Sequence, residues 1–433
     1  MKSGLRDTAA ALRAGSLSAR AYCEGLLEHI RDREPQVQAW AALDERRALA
    51  LAQSRDDEHG SGAARGPLHG IPVGVKDIID TADLPTQMGS PLFDGHRPAR
   101  NAPLVDRLLA AGAYVLGKTV TTEFAFMHPG KTRNPWNPAH TPGGSSSGSA
   151  AAVAAGMVPG AIGTQTGGSV IRPAAFCGVV GFKPSFGLIP CAGTLQFSGA
   201  LDQIGVFARS VADAAALASA LAGADSISPD VGDTRGAPRI VFLANYPWNA
   251  AERDAAAQFH ATLNQLAAAG ASVEELRLAS AFDDAKQVHH TIMVYEGARQ
   301  HAPRQAQHRA RMSAALNAVI GEGLAISDAD YARALARARE IRTRALELFG
   351  QSDVVASLPA PGAAPARLDI TGDPSFCTLW SLTGFPSLTI PTGLSAGGLP
   401  FGIQLAACAG GGDHLLRVAR WCESVIGFEY PRS

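Results

Sequence analysis

The segment at residues 142–185, PGGSSSGSAAAVAAGMVPGAIGTQTGGSVIRPAAFCGVVGFKPS, constrains the fold of this chain more than any other stretch. Its glycine and serine content, taken alone, describes a flexible linker. The residues after each Gly/Ser run argue otherwise. Ser149 can cap an all-small helix over 150–155, Gly156 can end that helix, and AIGT at 161–164 can return as a buried strand. A helix running out and a strand running back leave their outer loops on one edge of a sheet. Ser145 and Ser169 can therefore meet at the carboxyl end of a strand, where open α/β sheets place their ligands.

Gly167 and Gly168 carry no side chains to crowd a substrate carbonyl, so their N–H groups can approach it as an oxyanion hole. A serine hydroxyl is a poor nucleophile near neutral pH and needs a base. The segment offers no histidine beyond His140 at its entrance. Lysine is then the candidate, because burial can lower its ordinary pKa of about 10.4 far enough for the neutral amine to accept a proton. Lys76 stands in an otherwise apolar run, VGVKDII.

Strand and helix patterns alternate through the rest of the chain. LHGIPVGVKDII reads as a strand or strand pair carrying Lys76, and residues 103–111 have helical spacing, stop at Gly112 and lead into the strand AYVLG. PRIVFLANY, a helix over 252–269 with Phe259, Leu263 and Leu266 on one face, and ASVEELRL repeat the order. Near the start, Ser18 caps a helix with Tyr22, Leu26, Leu27 and Ile30 on one face, ending before Pro35. Residues 285–350 are helical and are expected to form a cover beside the site, and SLTGFPSLTIPTG with GLPFGIQLAA returns to strands. The alternation predicts an α/β sheet covered by helices on both sides.

With 46% hydrophobic and 18% charged residues, the chain can bury a sizeable core. Lys plus Arg (38) nearly equals Asp plus Glu (39) and like charges do not collect, which leaves no footprint for nucleic acid or an anionic membrane and suits a small, weakly charged substrate. No secretory signal and no membrane span is expected. Cys23, Cys177, Cys191, Cys377, Cys408 and Cys422 lie far apart without a CxxC pair, so each reads as a small core residue of a cytoplasmic protein. Length alone predicts two or three domains at roughly 150 residues each.

Two motifs mislead. GAYVLGKT at 112–119 fits the phosphate-binding loop GxxxxGK[ST], but a helix precedes it and its middle residues are strand-like, so Lys118 is expected at a strand end. GSSSG at 144–148 fits GxSxG, which would make Ser146 the nucleophile of an α/β-hydrolase. That elbow must follow a buried strand, whereas NPWNPAHTPG is turn-rich, so Ser146 and Ser147 read as supporting hydroxyls and His128 and His140 as structural or surface groups.

GVKD at 74–77, GGSSSGS at 143–149 and GTQTGGS at 163–169 together resemble the amidase signature family, in the family's order and serine spacing. The likeness extends to LVDRLLAAGAYVLGKT, LTGFPSLTIPTG and GLPFGIQL. The resemblance implies a single domain over 1–433, with a signature core at about 66–215, a helical cover at about 285–350 and a mixed twisted sheet of about eleven strands. It also implies Ser169 as nucleophile, Ser145 as proton relay after a cis peptide, Lys76 as base, and an oxyanion hole of the Thr166, Gly167, Gly168 and Ser169 N–H groups. No metal or organic cofactor is implied, and a homodimer is the default assembly.

Two departures bear on substrate. Many members of the family have an acidic residue where this chain has Gln165 and an arginine where it has Ile171, so one structural ion pair is replaced and Arg172 is left to point elsewhere. GTQTGGSVIRP resembles the malonamidase-like subset, in which an arginine at the place of Arg172 receives a substrate carboxylate. Thr164 on the entering strand is expected to add a hydroxyl contact. A structural Arg172 bonding backbone carbonyls is the competing expectation. The resemblance thus implies hydrolysis of a small amide, a monoamide of a short dicarboxylic acid in the first reading. The alternatives are an aryl amide, carbamate or ester, or the amidase subunit of a tRNA-dependent amidotransferase, against which the two departures speak.

Overall fold

The computed structural model describes residues 4–430 apart from 224, 225, 233 and 235. Eleven strands, Trp40–Leu43 (β1), Pro72–Lys76 (β2), Tyr114–Thr119 (β3), Gly160–Gln165 (β4), Val180–Lys183 (β5), Gln203–Ala208 (β6), Arg239–Leu243 (β7), Ser272–Leu276 (β8), Val354–Ser357 (β9), Ser387–Leu394 (β10) and Pro400–Ala406 (β11), join in one mixed sheet. Their order is β1-β3-β2-β4-β6-β5-β10-β11-β9-β7-β8. One sheet thus collects strands from residues 40–406, where length alone predicts two or three domains.

The apolar run around Lys76 becomes β2, flanked in parallel by β3 and β4. Every residue of β2 to β6 is buried, as strands covered on both faces must be, which is why they read as apolar runs rather than alternating patterns. From β4 through β6, β5, β10 and β11 to β9 each neighbour is antiparallel. The expected cover consists of the helices Ala285–His308, Ala314–Ala325 and Asp328–Ala345, the latter two packed on the first.

Local differences from the sequence reading have identifiable causes. The helix capped by Ser18 runs through Pro35 to Val37, not to the residue before the proline. Only its last turn is affected, and there Gln38, in the left-handed conformation, donates its N–H to the Glu34 carbonyl while the Glu34 carboxylate accepts from Ala39 and Trp40 N–H. The small-residue helix is Ser147–Ala154, so Ser149 lies inside it and is not its cap. Its hydroxyl instead bonds the Ile162 carbonyl at 3.0 Å and Thr119 Oγ1 at 2.7 Å, tying the helix to β4 and β3. Cys408 is exposed in the turn after β11, unlike the buried Cys23, Cys177, Cys377 and Cys422, and Cys191 is half-buried. Among the described residues no helix is long and apolar enough to cross a membrane.

Small residues in the Ser147–Ala154 helix follow from how closely it lies on its neighbours. A Cβ on Gly148 would stand 2.3 Å from the Ala39 carbonyl oxygen and 2.3 Å from the Val120 nitrogen, both backbone atoms that cannot swing aside. Gly148→Ala is therefore expected to destabilise the fold by about 1–3 kcal/mol or more, seen as a lower urea midpoint. An unchanged midpoint would mean that the helix can shift freely.

Candidate active site

Register brings the lysine to the serines. Gly74 pairs with Ala161 and Val75 with Ile162, so the end of β2 lies beside the end of β4. There Lys76 Nζ donates to Ser145 Oγ at 2.7 Å and to Thr164 Oγ1 at 2.8 Å, all three side chains being buried. Burial pushes the Lys76 ammonium down from 10.5 to about 7, while the nearby Asp202 carboxylate pulls the other way. The Gly144–Ser145 peptide is cis. Ser146 is fully buried, its hydroxyl donating to the Thr164 carbonyl and accepting from the Thr164 N–H, which suits the supporting role read for it. Lys118 lies near the end of β3 and is held by the Ile79 carbonyl, Thr86 Oγ1 and Asp77, so the phosphate-loop match has no free lysine.

Between β4 and the helix Ile171–Cys177 the chain turns through 166–169. Gln165 organises this turn. Its Oε1 accepts the N–H groups of Val170 (2.9 Å) and Ile171 (3.0 Å), and its Nε2 donates to Ser381 Oγ, whose hydroxyl in turn donates to the Gly167 carbonyl. A neutral amide thus caps the start of the helix, and the buried Ile171 needs no charged partner. Thr166 is held twice: its hydroxyl donates to Asp202 Oδ1 at 2.5 Å, and its carbonyl accepts from His289 Nε2 at 2.9 Å. Burial pushes His289 down to about 4, so near neutral pH it is the neutral ring with its proton on Nε2. Among the described residues, no protein acceptor is found for the N–H groups of Thr166, Gly167, Gly168 and Ser169.

These four residues form one wall of a cavity of about 490 Å³, completed by Phe126, Phe197, Trp248, Met293 and Arg172 among others. That volume suits a small molecule. Ser169 is half-buried on this wall, while Ser145 and Lys76 are buried and do not line the cavity. Thr164, expected at the substrate, instead has its hydroxyl on Lys76 and is not part of the cavity wall. Arg172 is 2% exposed; its Nη2 donates to the Gly144 carbonyl at 2.7 Å and to Thr371 Oγ1 at 3.2 Å, whereas Nε and Nη1 find no acceptor among the described residues. Burial lowers its guanidinium to about 10, which leaves it charged near neutral pH.

Three residues at this site escaped the sequence reading. Asp202 sits in SGALDQIG, where an aspartate before a strand reads as a turn residue, and His289 lies in a segment read only as cover. Trp248, on the loop after β7, contributes a cavity wall and an indole N–H without a partner among the described residues. No local pattern marks any of them, because each reaches the site only through the fold.

Comparison with known proteins agrees with this architecture. The A subunit of the glutamyl-tRNA(Gln) amidotransferase from Chloroflexus aggregans is 34% identical, with 95% of each chain covered. A solved amidase superposes with a TM-score of 0.89 at 31% identity, covering 98% of this chain and 99% of its own. The native peptide amidase of Stenotrophomonas maltophilia gives 0.86 at 32% identity, covering 100% of this chain and 98% of its own. The family model described as Amidase matches residues 21–416, and the chain belongs to the amidase signature family of amide-cleaving hydrolases.

Proposed function

We propose that the chain cleaves a small amide through an acyl-enzyme on Ser169, with Ser145 as relay and Lys76 as base. The observation that carries this reading is the 2.7 Å contact between Lys76 Nζ and Ser145 Oγ, fully buried, with a lysine that loses its proton near pH 7. Neutral Lys76 donates to Thr164 and accepts the Ser145 proton, while Ser145 accepts the proton of Ser169 as Ser169 Oγ bonds to the carbonyl carbon. The developing oxyanion takes the N–H groups of Thr166, Gly167, Gly168 and Ser169. Collapse returns the proton through Ser145 to the leaving amine. Water then attacks the acyl-enzyme by the same relay and frees Ser169.

On the acyl side we propose a carboxylate close to the reacting carbonyl, as in a monoamide of a short dicarboxylic acid. Arg172 supports this: it lines the cavity three residues past Ser169, and two of its nitrogens have no acceptor among the described residues. Its third nitrogen holds the Gly144 carbonyl, so substitution also disturbs the neighbour of Ser145. The test is therefore differential. Arg172→Leu is expected to lower kcat/KM on acidic amides about ten- to a hundredfold more than on neutral amides, from the loss of charge-assisted hydrogen bonds of roughly 1.5–3 kcal/mol. An equal fall on both would assign Arg172 to Gly144 alone.

A second reading, the amidase subunit of an amidotransferase, is favoured by the curated relatives, which carry that name over nearly their whole length. Glutamine meets the same requirement, being an amide with a carboxylate on its acyl side. The departures at Gln165 and Ile171 no longer weigh against it, since Gln165 repairs the turn locally. Hydrolysis of malonamate or succinamate by the isolated chain supports the first reading. Glutaminase activity that appears only with partner subunits replaces it by the second.

A further inference from the structure

Asp202 is a buried carboxylate to which the reaction just described gives no task. Its Oδ1 accepts the Thr166 hydroxyl at 2.5 Å, and its Oδ2 accepts the N–H groups of Phe197 at 2.6 Å and Ser198 at 3.1 Å. Phe197 is a cavity wall, so one carboxylate ties that wall to the turn carrying Ser169. His289, from the cover helix, takes hold of the Thr166 carbonyl from another side. In a trans peptide the carbonyl and the following N–H point in opposite directions, so fixing the Thr166 carbonyl also aims the Gly167 N–H.

We infer that Asp202 is a positioning residue with two tasks: it holds Thr166 so that the oxyanion donors are preformed, and it brings a buried carboxylate to the end of β4, where Lys76 bonds Thr164. The inference rests on the proposed roles of Ser169 and Lys76. Lys76 is faced by neutral groups from two elements, Ser145 from the turn before the Ser147–Ala154 helix and Thr164 from β4. Asp202, from the turn before β6, bonds Thr166 two residues past Thr164, and its charge acts on Lys76. Its chain neighbour Asp77 pairs with Lys118 of β3, and His289 is neutral. Around Asp202 itself, the Cys191 thiol is pushed up to about 12 by burial and stays uncharged. Burial also raises Asp202, to about 6, so above that pH it is an anion that favours the protonated lysine.

The sign follows. Without the negative charge Lys76 loses its proton more readily, and the acid limb of the pH profile moves to lower pH. Asp202→Asn keeps an oxygen for the Thr166 hydroxyl but removes the charge, and it is expected to shift that limb down by about half a pH unit or more. Asp202→Ala removes both, and kcat is expected to fall about ten- to a hundredfold at every pH with KM little changed, the mark of donors needed only in the transition state. Thr166→Val deletes the hydroxyl and keeps the carboxylate, so it should reproduce the fall in kcat on the alkaline plateau, where Asp202 is ionised; it also keeps the positioning role measurable if the Asp202 variants fail to fold. An unmoved limb in Asp202→Asn overturns the electrostatic task, and unchanged kcat in Thr166→Val overturns the positioning task. Rapid labelling of Ser169 by a fluorophosphonate in the native protein shows separately that the underlying reading stands.

Discussion

Ser169→Ala is expected to lower kcat by about a thousandfold or more while substrate still binds. The substitution deletes the one atom that bonds to the acyl group in the proposed reaction, and it removes little else. Ser169 is half-buried on the cavity wall, and its backbone N–H remains in place to bind a carbonyl. The supporting bonds of the turn run from Gln165, Asp202 and His289 to Val170, Ile171 and Thr166, not to the Ser169 hydroxyl. A loss of activity accompanied by loss of stability would point to a structural serine, so the melting transition should be measured on the same sample. An active Ser169→Ala enzyme would remove the acyl-enzyme from the account.

Lys76 is expected to be as sensitive, with a pH signature of its own. Burial holds its ammonium at about 7, so the neutral amine dominates only above that pH. Activity limited by this base should rise from acidic to mildly alkaline pH and level off, with pH 6 giving about a tenth of the plateau. Lys76→Ala removes the acceptor at the end of the relay and should cost about 10²- to 10⁴-fold, the usual range for a general base. Lys76→Arg keeps the charge and a comparable length, but a guanidinium stays protonated over the usable pH range, so it should not restore activity. A fully active Lys76→Arg enzyme would exclude lysine as the base.

How far the site could be read in advance depended on how local its determinants are. Ser145, Ser169 and the glycines between them lie in one segment whose helix-and-return pattern is visible in composition, and in the structure Lys76 joins Ser145 to Thr164 near the end of β4, ahead of the turn that carries Ser169. Lys76 was legible as the lone charge in a buried strand. Side-chain direction was less so. Thr164 lies on the correct strand, but its hydroxyl meets the lysine rather than the cavity. Ser149 reads as a cap because serine before an alanine run usually is one; the helix begins at Ser147, two residues before Ser149, and the hydroxyl serves the sheet. Asp202 and His289 were invisible because their partner Thr166 stands 36 and 123 residues away in sequence. Such long-range pairs carry no periodicity and no motif spacing. Their placement follows only once β4, β6 and the cover helix are packed together.

The central claim is that Ser169 carries the acyl group, and the most direct measurement is covalent. The native protein should be treated with a fluorophosphonate serine probe, digested, and mapped by mass spectrometry. The account predicts a single modified site at Ser169, with labelling that quickens as pH rises through about 7 and is abolished or strongly slowed in Lys76→Ala. Modification at Ser146 instead, or labelling of Ser169 at the same rate in Lys76→Ala, would contradict it.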